Sequence, residues 1–448
     1  MNDLKMNNRI LSLFAAMLLT LSTYALSVET DREWYLAGEA MKVSVVADDA
    51  LIAYAELCDT YSLAAGVVMS IQGGKGTGTI ELPADLHSGY YVLSVYTRHQ
   101  PDVCQQLVAV INPLHKSEDD DIEWVDSLNV ECGVLNENSS SAETNLTPHS
   151  TFNIQRNSST PHSTFNIQRT TTDVRETEGH IIKARVQNVY DGKTFTASQI
   201  RPSLSIVGKQ IHYFEGKMVD DSTAVFFTHG LHGRQPLVLS AATAGGVSLP
   251  IEMISPFATL LPKQLPHLVF HYNRNEVEAR SLDMQRHQIA IAPAKHELKL
   301  GETEDDTAED GVPLDYDNTV YGTKPDLTYN LDEYRQFRTI REVLLEYVNC
   351  VRRKYSGGVT QLFVRRVNDH YDNSWPAMVL IDGMPVIDVN RLLRYDARRV
   401  HYINIYGGQY TFGNGVYNGI LSFITRSGRL TNYPTEKNVQ YLVYEFPE

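Results

Sequence analysis

Pro376-Ala-Met-Val-Leu-Ile-Asp-Gly-Met-Pro-Val386 and, further along, Gly413-Asn-Gly-Val-Tyr-Asn-Gly-Ile-Leu-Ser-Phe-Ile-Thr425 decide how this chain is read. Met378 to Ile381 is an apolar run that ends in Asp382-Gly383, a pair suited to a tight turn whose two central residues both need positive φ. Pro385 has no amide donor, so it belongs at a sheet edge or a strand start. Asp388 is placed to cap a short helix carrying Leu392 and Leu393. Val400, Tyr402, Asn404 and Tyr406 then alternate with His401, Ile403 and Ile405, which predicts a strand ending at Gly407-Gly408. The glycines from Gly407 to Gly419 permit a compact loop before a last strand, Ile420 to Thr425.

Upstream of this run, Ile340, Val343, Leu344, Tyr347 and Val348 recur at helical spacing. Thr339-x-x-Glu342 precedes them as a capping box, so one amphipathic helix is expected. Gly357-Gly358 turns the chain into a strand from Thr360 to Arg365. Residues 331–430 therefore read as a small α+β module.

This pattern resembles the plug domain of TonB-dependent outer-membrane receptors, with an apolar strand into Ile-Asp-Gly, a short helix, a second strand, and a Gly-rich loop ending in Asn-Gly. The resemblance implies that Asp382, Gly383, Pro385, Gly413, Gly415, Asn418 and Gly419 shape the module; none is a catalytic candidate. In that family a transmembrane barrel follows. Only 20 residues follow Gly428 here, whereas a barrel takes at least ~8 strands of about 9 to 11 residues. The energy-coupling box through which TonB pulls a receptor plug has no counterpart. The expectation is a plug-like module without its pore, in an exported protein of Bacteroidetes type, with residues 431–448 as a tail or an edge strand.

Residues 26–113 show short apolar alternations separated by turns, as in Met41-Lys-Val43-Ser-Val45 and Tyr91-Val-Leu93-Ser-Val95, which predicts an antiparallel sandwich. Thr30-Asp-Arg-Glu-Trp-Tyr35-Leu-Ala-Gly38-Glu39, with Leu82-Pro83 and Ser88-Gly-Tyr-Tyr-Val-Leu93, is similar to the N-terminal macroglobulin-type domain. That likeness implies an immunoglobulin-like β-sandwich. The reactive Gly-Cys-Gly-Glu-Gln thioester of macroglobulins has no equivalent, so covalent trapping is not implied. Alternation returns over residues 175–294 and predicts a second sandwich.

The intervening residues 114–174 are polar and contain a ten-residue duplication, Thr147-Pro-His-Ser-Thr-Phe-Asn-Ile-Gln-Arg156 and again Thr160 to Arg169. Too few apolar side chains stand there to offset ordering entropy, so a disordered linker is expected. Residues 295–330, with Glu302-Thr-Glu-Asp-Asp306, read as an exposed acidic linker. The fold class is thus mainly β and multidomain: two immunoglobulin-like β-sandwiches followed by a small α+β plug-like domain.

Lys5 and Arg9 precede an apolar run from Ile10 to Leu21, and Thr23-Tyr-Ala25 supplies small residues for cleavage, so residues 1–25 read as a signal peptide. No later run is long and apolar enough to span a bilayer, so no transmembrane segment is expected once the signal is removed. The chain carries 39 Lys and Arg against 54 Asp and Glu, a net −15. That balance argues against nucleic acid as a partner. From Tyr334 to Leu430, however, 14 Arg and Lys stand against 7 Asp and Glu, a basic region in an acidic chain.

Four cysteines allow three pairings. Cys58 and Cys104 fall in one predicted domain, which makes them a candidate disulfide among the three. None of the four has metal or redox-motif spacing, so no metal and no cofactor is expected. Gly73-Gly-Lys75-Gly-Thr-Gly78 lacks phosphate-loop spacing and reads as a hairpin turn, and His229 and His232 have no third ligand beside them. These readings predict a non-enzymatic binding or scaffolding protein, periplasmic or associated with the outer membrane or cell surface. Its partner would be another envelope or surface protein, such as an outer-membrane receptor. An auxiliary role in TonB-linked nutrient uptake and a role as a surface adhesin are the alternatives.

Overall fold

The computed structural model describes residues 26–112, 121–125, 176, 179–295 and 318–447, with short breaks at 49, 99–101, 209, 244, 321, 357–358, 366–374, 413–414 and 431–432. The expected signal peptide, the duplicated decapeptide, the acidic run from Glu302, Cys132 and Gly413 lie outside the described residues. The chain is mostly β and divides into two compact units. One takes the described residues up to 176 together with 257–295; the other takes 179–256 and 318–447.

In the first unit a five-stranded sheet runs in the order Trp34–Leu36, Val103–Ile111, Gly89–Tyr96, Ile52–Cys58, Leu63–Ser70. It shares a core with a three-stranded sheet of Ser27–Thr30, Ala40–Val46 and Lys75–Glu81. The period-two residues Met41, Val43 and Val45 meet Ala53, Ala55 and Leu57 in that core. Gly73 and Gly74, both at positive φ, make the tight turn expected of the glycine-rich loop.

The macroglobulin-like opening has a physical reason. The Tyr35 hydroxyl donates to Asp31 Oδ1 at 2.6 Å and accepts from the Arg32 N–H at 3.0 Å. Gly38 takes positive φ, and Glu39 turns back to accept the Leu36 N–H at 2.8 Å. Burial and the adjoining Asp31 carboxylate hold the Tyr35 phenol far above its ordinary range.

Three features of this unit depart from the sequence reading. Residues 257–295 belong to it, not to the second sandwich, and Arg274–Lys295 is a helix of 22 residues. Arg280 of that helix stacks 3.6 Å over the Trp34 ring and forms a two-pronged ion pair with Glu39. Asp121–Val125, expected to be disordered linker, pairs in parallel with Val269–Asn273; its alternation of Ile122 and Trp124 with charged residues suits a strand. The candidate Cys58–Cys104 disulfide does not form; both thiols are free. Their strands lie on opposite sides of Gly89–Tyr96, and Cys58 faces Val92 while Cys104 faces Val95. Two strand spacings of ~4.8 Å already exceed the Cα separation a disulfide tolerates.

In the second unit His180–Val186 lies between Thr223–Thr228 and Ile251–Ile254, with Lys217–Met218 at the edge. The facing sheet orders His212–Glu215, Ile200–Ile206, Gly233–Thr243 and Ser248–Leu249. The C-terminal strand Gln440–Phe446 pairs with Gly233–Thr243 over seven positions, from Gly233 with Phe446 to Leu239 with Gln440. It delivers Tyr444 and Phe446 into the same core as Phe226, Leu204 and Leu237. The His180 ring stacks on Tyr444 and lies 2.6 Å from its hydroxyl.

The α+β module enters the chain before that last strand. Its sheet runs Leu327–Asn330, Val400–Phe412, Gly415–Thr425, Met378–Ile381, Met384–Pro385. Leu327–Asn330, read as linker, is therefore a strand. Thr339 caps the helix Ile340–Glu346 with both bonds of the capping box formed. Asp388 caps Val389–Arg394 by accepting from the Asn390 N–H at 3.0 Å. Gly407 and Gly408 do not end their strand. The ladder continues past them to Phe412 through a register shift between Tyr406 and Gln409, so the glycine-rich stretch is a long bulged hairpin instead of a compact loop.

Candidate functional site

The motif residues converge on the turn after Met378–Ile381. Asp382 and Gly383 have φ of 45° and 83°, and Ile381 pairs with Met384 across them, a two-residue hairpin of the type the dipeptide encodes. Pro385 ends the short return strand at the sheet edge. The Asp382 side chain is fully buried. Its Oδ1 accepts the Thr425 N–H at 2.7 Å; its Oδ2 accepts the Thr425 hydroxyl at 2.6 Å and the Leu430 N–H at 2.8 Å. Desolvation pushes this carboxyl up to about 6, against the opposing pull of those donors.

The outer side of the turn meets the second sandwich. Gly208 N–H donates to the Asp382 carbonyl at 3.2 Å, and a Cβ on Gly383 would stand 2.9 Å from the Ile206 carbonyl oxygen. Val207 and Val238 of the sandwich belong to the module's own core, with Leu392, Ile403 and Phe423. Sandwich and module are thus continuous in packing.

Gly419 has φ of 96° and lies where a Cβ would be 3.0 Å from the Tyr406 carbonyl oxygen and 2.9 Å from Val364. Gly415 opens the returning strand of the bulged hairpin, opposite Phe412. Asn418 is buried beside it, its N–H donating to the Pro376 carbonyl at 3.2 Å. The structure therefore gathers Asp382, Gly383, Pro385, Asn418 and Gly419 around one sheet, while Cys58 and Cys104 lie in the other unit.

Glu436 is a second buried carboxylate of this unit, which the sequence reading did not single out. It accepts the N–H groups of Ile387 and Asp388, both at 3.1 Å, and the Tyr433 hydroxyl at 3.1 Å. Burial raises its pKa above the usual carboxylate range, against the pull of those donors. A lone Glu after Tyr433-Pro-Thr carries no local signal of this role, because its backbone donors lie some fifty positions upstream. Beside it opens a cleft of about 430 Å³ lined by Tyr190, Thr360, Asn390, Arg391 and Lys437. Within it the Thr360 hydroxyl donates to Asn390 at 2.8 Å, and Arg391 pairs with Asp388 at 3.4 Å.

The histidines noted in the sequence serve packing. His229 meets Phe214 edge-on, and His232 lies 3.1 Å from the Pro447 carbonyl. Among the described residues no group of three His, Cys, Asp or Glu side chains is placed to hold a metal ion, and no helix is long and apolar enough to cross a membrane.

No family model matches the sequence, and no curated protein matches it either. Among solved structures, the chain is similar over 53% of its length to the BSP domain of a biofilm-associated protein, at 9% identity and a TM-score of 0.16. The native conformation of Escherichia coli alpha-2-macroglobulin matches over 53% of the chain at 11% identity and a TM-score of 0.18. The Escherichia coli adhesin FdeC matches over 55% at 13% identity and a TM-score of 0.16. The chain spans 30%, 14% and 66% of those three chains respectively.

Proposed function

We propose that this chain is a non-enzymatic binding or scaffolding protein of the cell envelope that acts through protein contacts at the outer membrane. The reading is carried by the packing of the plug-like module. Its motif carboxylate is buried and taken up by Thr425 and Leu430, and its core runs without a break into Val207 and Val238 of the adjoining sandwich. A motif used in this way holds a surface in place. A reactive site would need its carboxylate accessible, and a transport plug would need freedom to move against its surroundings. The basic composition of the module within an acidic chain favours a macromolecular partner over a small ligand.

The test is crosslinking of the native protein in intact cells, followed by fractionation and identification of the adducts. The expected result is a reproducible adduct with an outer-membrane or surface protein in the envelope fraction. An adduct with a barrel receptor would direct the role to nutrient uptake, and one with proteins of another cell would direct it to adhesion. Recovery of only unadducted chain in the soluble fraction would refute the reading.

A further inference from the structure

The strand Val351–Ser356 forms a two-stranded ladder with Val359–Val364, and no described strand pairs with its other edge. Arg352, Arg353, Lys354 and Tyr355 along it are all exposed, Tyr355 at 70%. Among the described residues no carboxylate lies within ion-pair distance of Arg352, Arg353 or Lys354. Elsewhere in the module Arg391, Arg398 and Arg426 each pair with an aspartate.

The phase of the ladder is fixed by the Arg365 N–H, which donates to the Cys350 carbonyl at 2.8 Å. Antiparallel pairs alternate between bonded and non-bonded, so Arg352 and Lys354 direct their backbone groups toward Val359–Val364. The N–H and C=O groups of Arg353 and Tyr355 therefore point away from the ladder. Successive side chains alternate between faces, so this edge presents cations on both sides.

We propose that this edge binds an acidic polypeptide segment in extended conformation, added as a third strand. The outward backbone groups of Arg353 and Tyr355 supply main-chain hydrogen bonds, and the three cations select carboxylates on both faces of the incoming strand. The proposal rests on the binding reading above and names the surface and the class of partner. Like charges also keep an edge from pairing with copies of itself. That role alone predicts that the double variant Arg353→Ser/Lys354→Ser self-associates with no change in affinity for acidic peptides.

The experiment titrates the full-length protein with a short fluorescent peptide alternating Glu with Val, read by anisotropy. Arg353→Glu/Lys354→Glu should weaken binding by roughly tenfold to a hundredfold, as expected for a few exposed charge pairs, with thermal unfolding unchanged. The same peptide N-methylated at alternate amides keeps its charge and loses its donors, and should bind roughly tenfold more weakly or worse. Equal binding of the methylated peptide, equal binding by the charge-reversed variant, or partition only to phosphatidylglycerol vesicles would each overturn the proposal. A failed titration beside a crosslinked envelope partner would remove this edge and leave the binding reading standing. A successful titration with no partner in cells would do the reverse.

Discussion

Thr425 is held twice by Asp382, its N–H donating to one carboxylate oxygen at 2.7 Å and its hydroxyl to the other at 2.6 Å. The two residues are 43 positions apart, at the ends of neighbouring parallel strands. One side chain therefore forms a tight turn locally and fixes the start of the following segment, through Thr425 and Leu430, at long range.

Removing that carboxylate should be costly. Asp382→Ala strands two buried backbone donors, the N–H groups of Thr425 and Leu430, and should destabilise the second unit by about 2–4 kcal/mol. Asp382→Asn should cost less, because Asn tolerates the left-handed backbone and keeps one acceptor. Urea denaturation followed by near-ultraviolet circular dichroism measures both.

The same group sets a pH dependence. Its carboxyl titrates near 6 when folded and near 3.8 when not, so between those values the folded state holds a proton that the unfolded chain releases. Stability from this residue therefore falls as pH rises from about 4 to about 6, at about 1.4 kcal/mol per unit and roughly 3 kcal/mol in all. Relative to the non-titrating Asp382→Asn, the wild type should therefore lose roughly 3 kcal/mol across that window, so the two denaturation curves converge as pH rises. A constant difference would contradict the prediction.

Gly383 and Gly230 offer a matched pair. Both have positive φ, but a Cβ at Gly383 meets the Ile206 carbonyl at 2.9 Å, whereas at Gly230 it meets nothing within 4 Å. Gly230→Ala should cost about 1 kcal/mol from backbone strain alone. Gly383→Ala should cost about 2–3 kcal/mol, since it adds a clash with backbone. Thermal unfolding of the two variants tests the difference.

In the first unit Glu56 is fully buried, accepts the Thr259 N–H at 3.0 Å and the Tyr96 hydroxyl at 3.1 Å, and also accepts the Leu260 N–H. It ties residues 258–260 to the first sandwich. Glu56→Ala should raise hydrogen exchange at the Thr259 and Leu260 amides by about a hundredfold, the equivalent of roughly 3 kcal/mol of local stability. Protection unchanged at those two amides would show that other contacts hold the segment.

Thiol chemistry gives a mass readout. Burial pushes the Cys58 thiol up to about 12 and raises that of Cys350 as well. Native protein treated with a maleimide near neutral pH should leave both unmodified for hours, whereas denatured protein should react at once. Peptide mapping without reductant should find no fragment linking Cys58 to Cys104.

Local signals in the sequence were legible where a few neighbouring residues decide the backbone. Asp382-Gly383, the Thr339 to Glu342 box and the Asp388 cap each act within four positions, and each element forms as its chemistry dictates. Long-range assignments were not legible in the same way. The helix Arg274–Lys295 hides because its apolar residues do not line up on one face at helical spacing; its docking relies on Arg280 reaching Trp34 and Glu39. Cys58 and Cys104 share a domain, yet the strand between them depends on sheet order, which spacing does not encode. Glu436 and Glu56 look like any solvated carboxylate until their backbone donors are in place.

The strand Gln440–Phe446 has a consequence for synthesis. A ribosome releases the chain from its N-terminus onward, and the Gly233 edge of the second sandwich waits until more than a hundred and fifty further residues have emerged before its partner arrives. Throughout that interval Leu237 and Leu239 lie on an unsealed edge, the kind of surface that chaperones recognise and that neighbouring nascent chains can invade. The sandwich therefore closes late in synthesis. Until Tyr444 and Phe446 arrive, Phe226, Leu204 and Leu237 lack part of the core that covers them, however well the rest has folded.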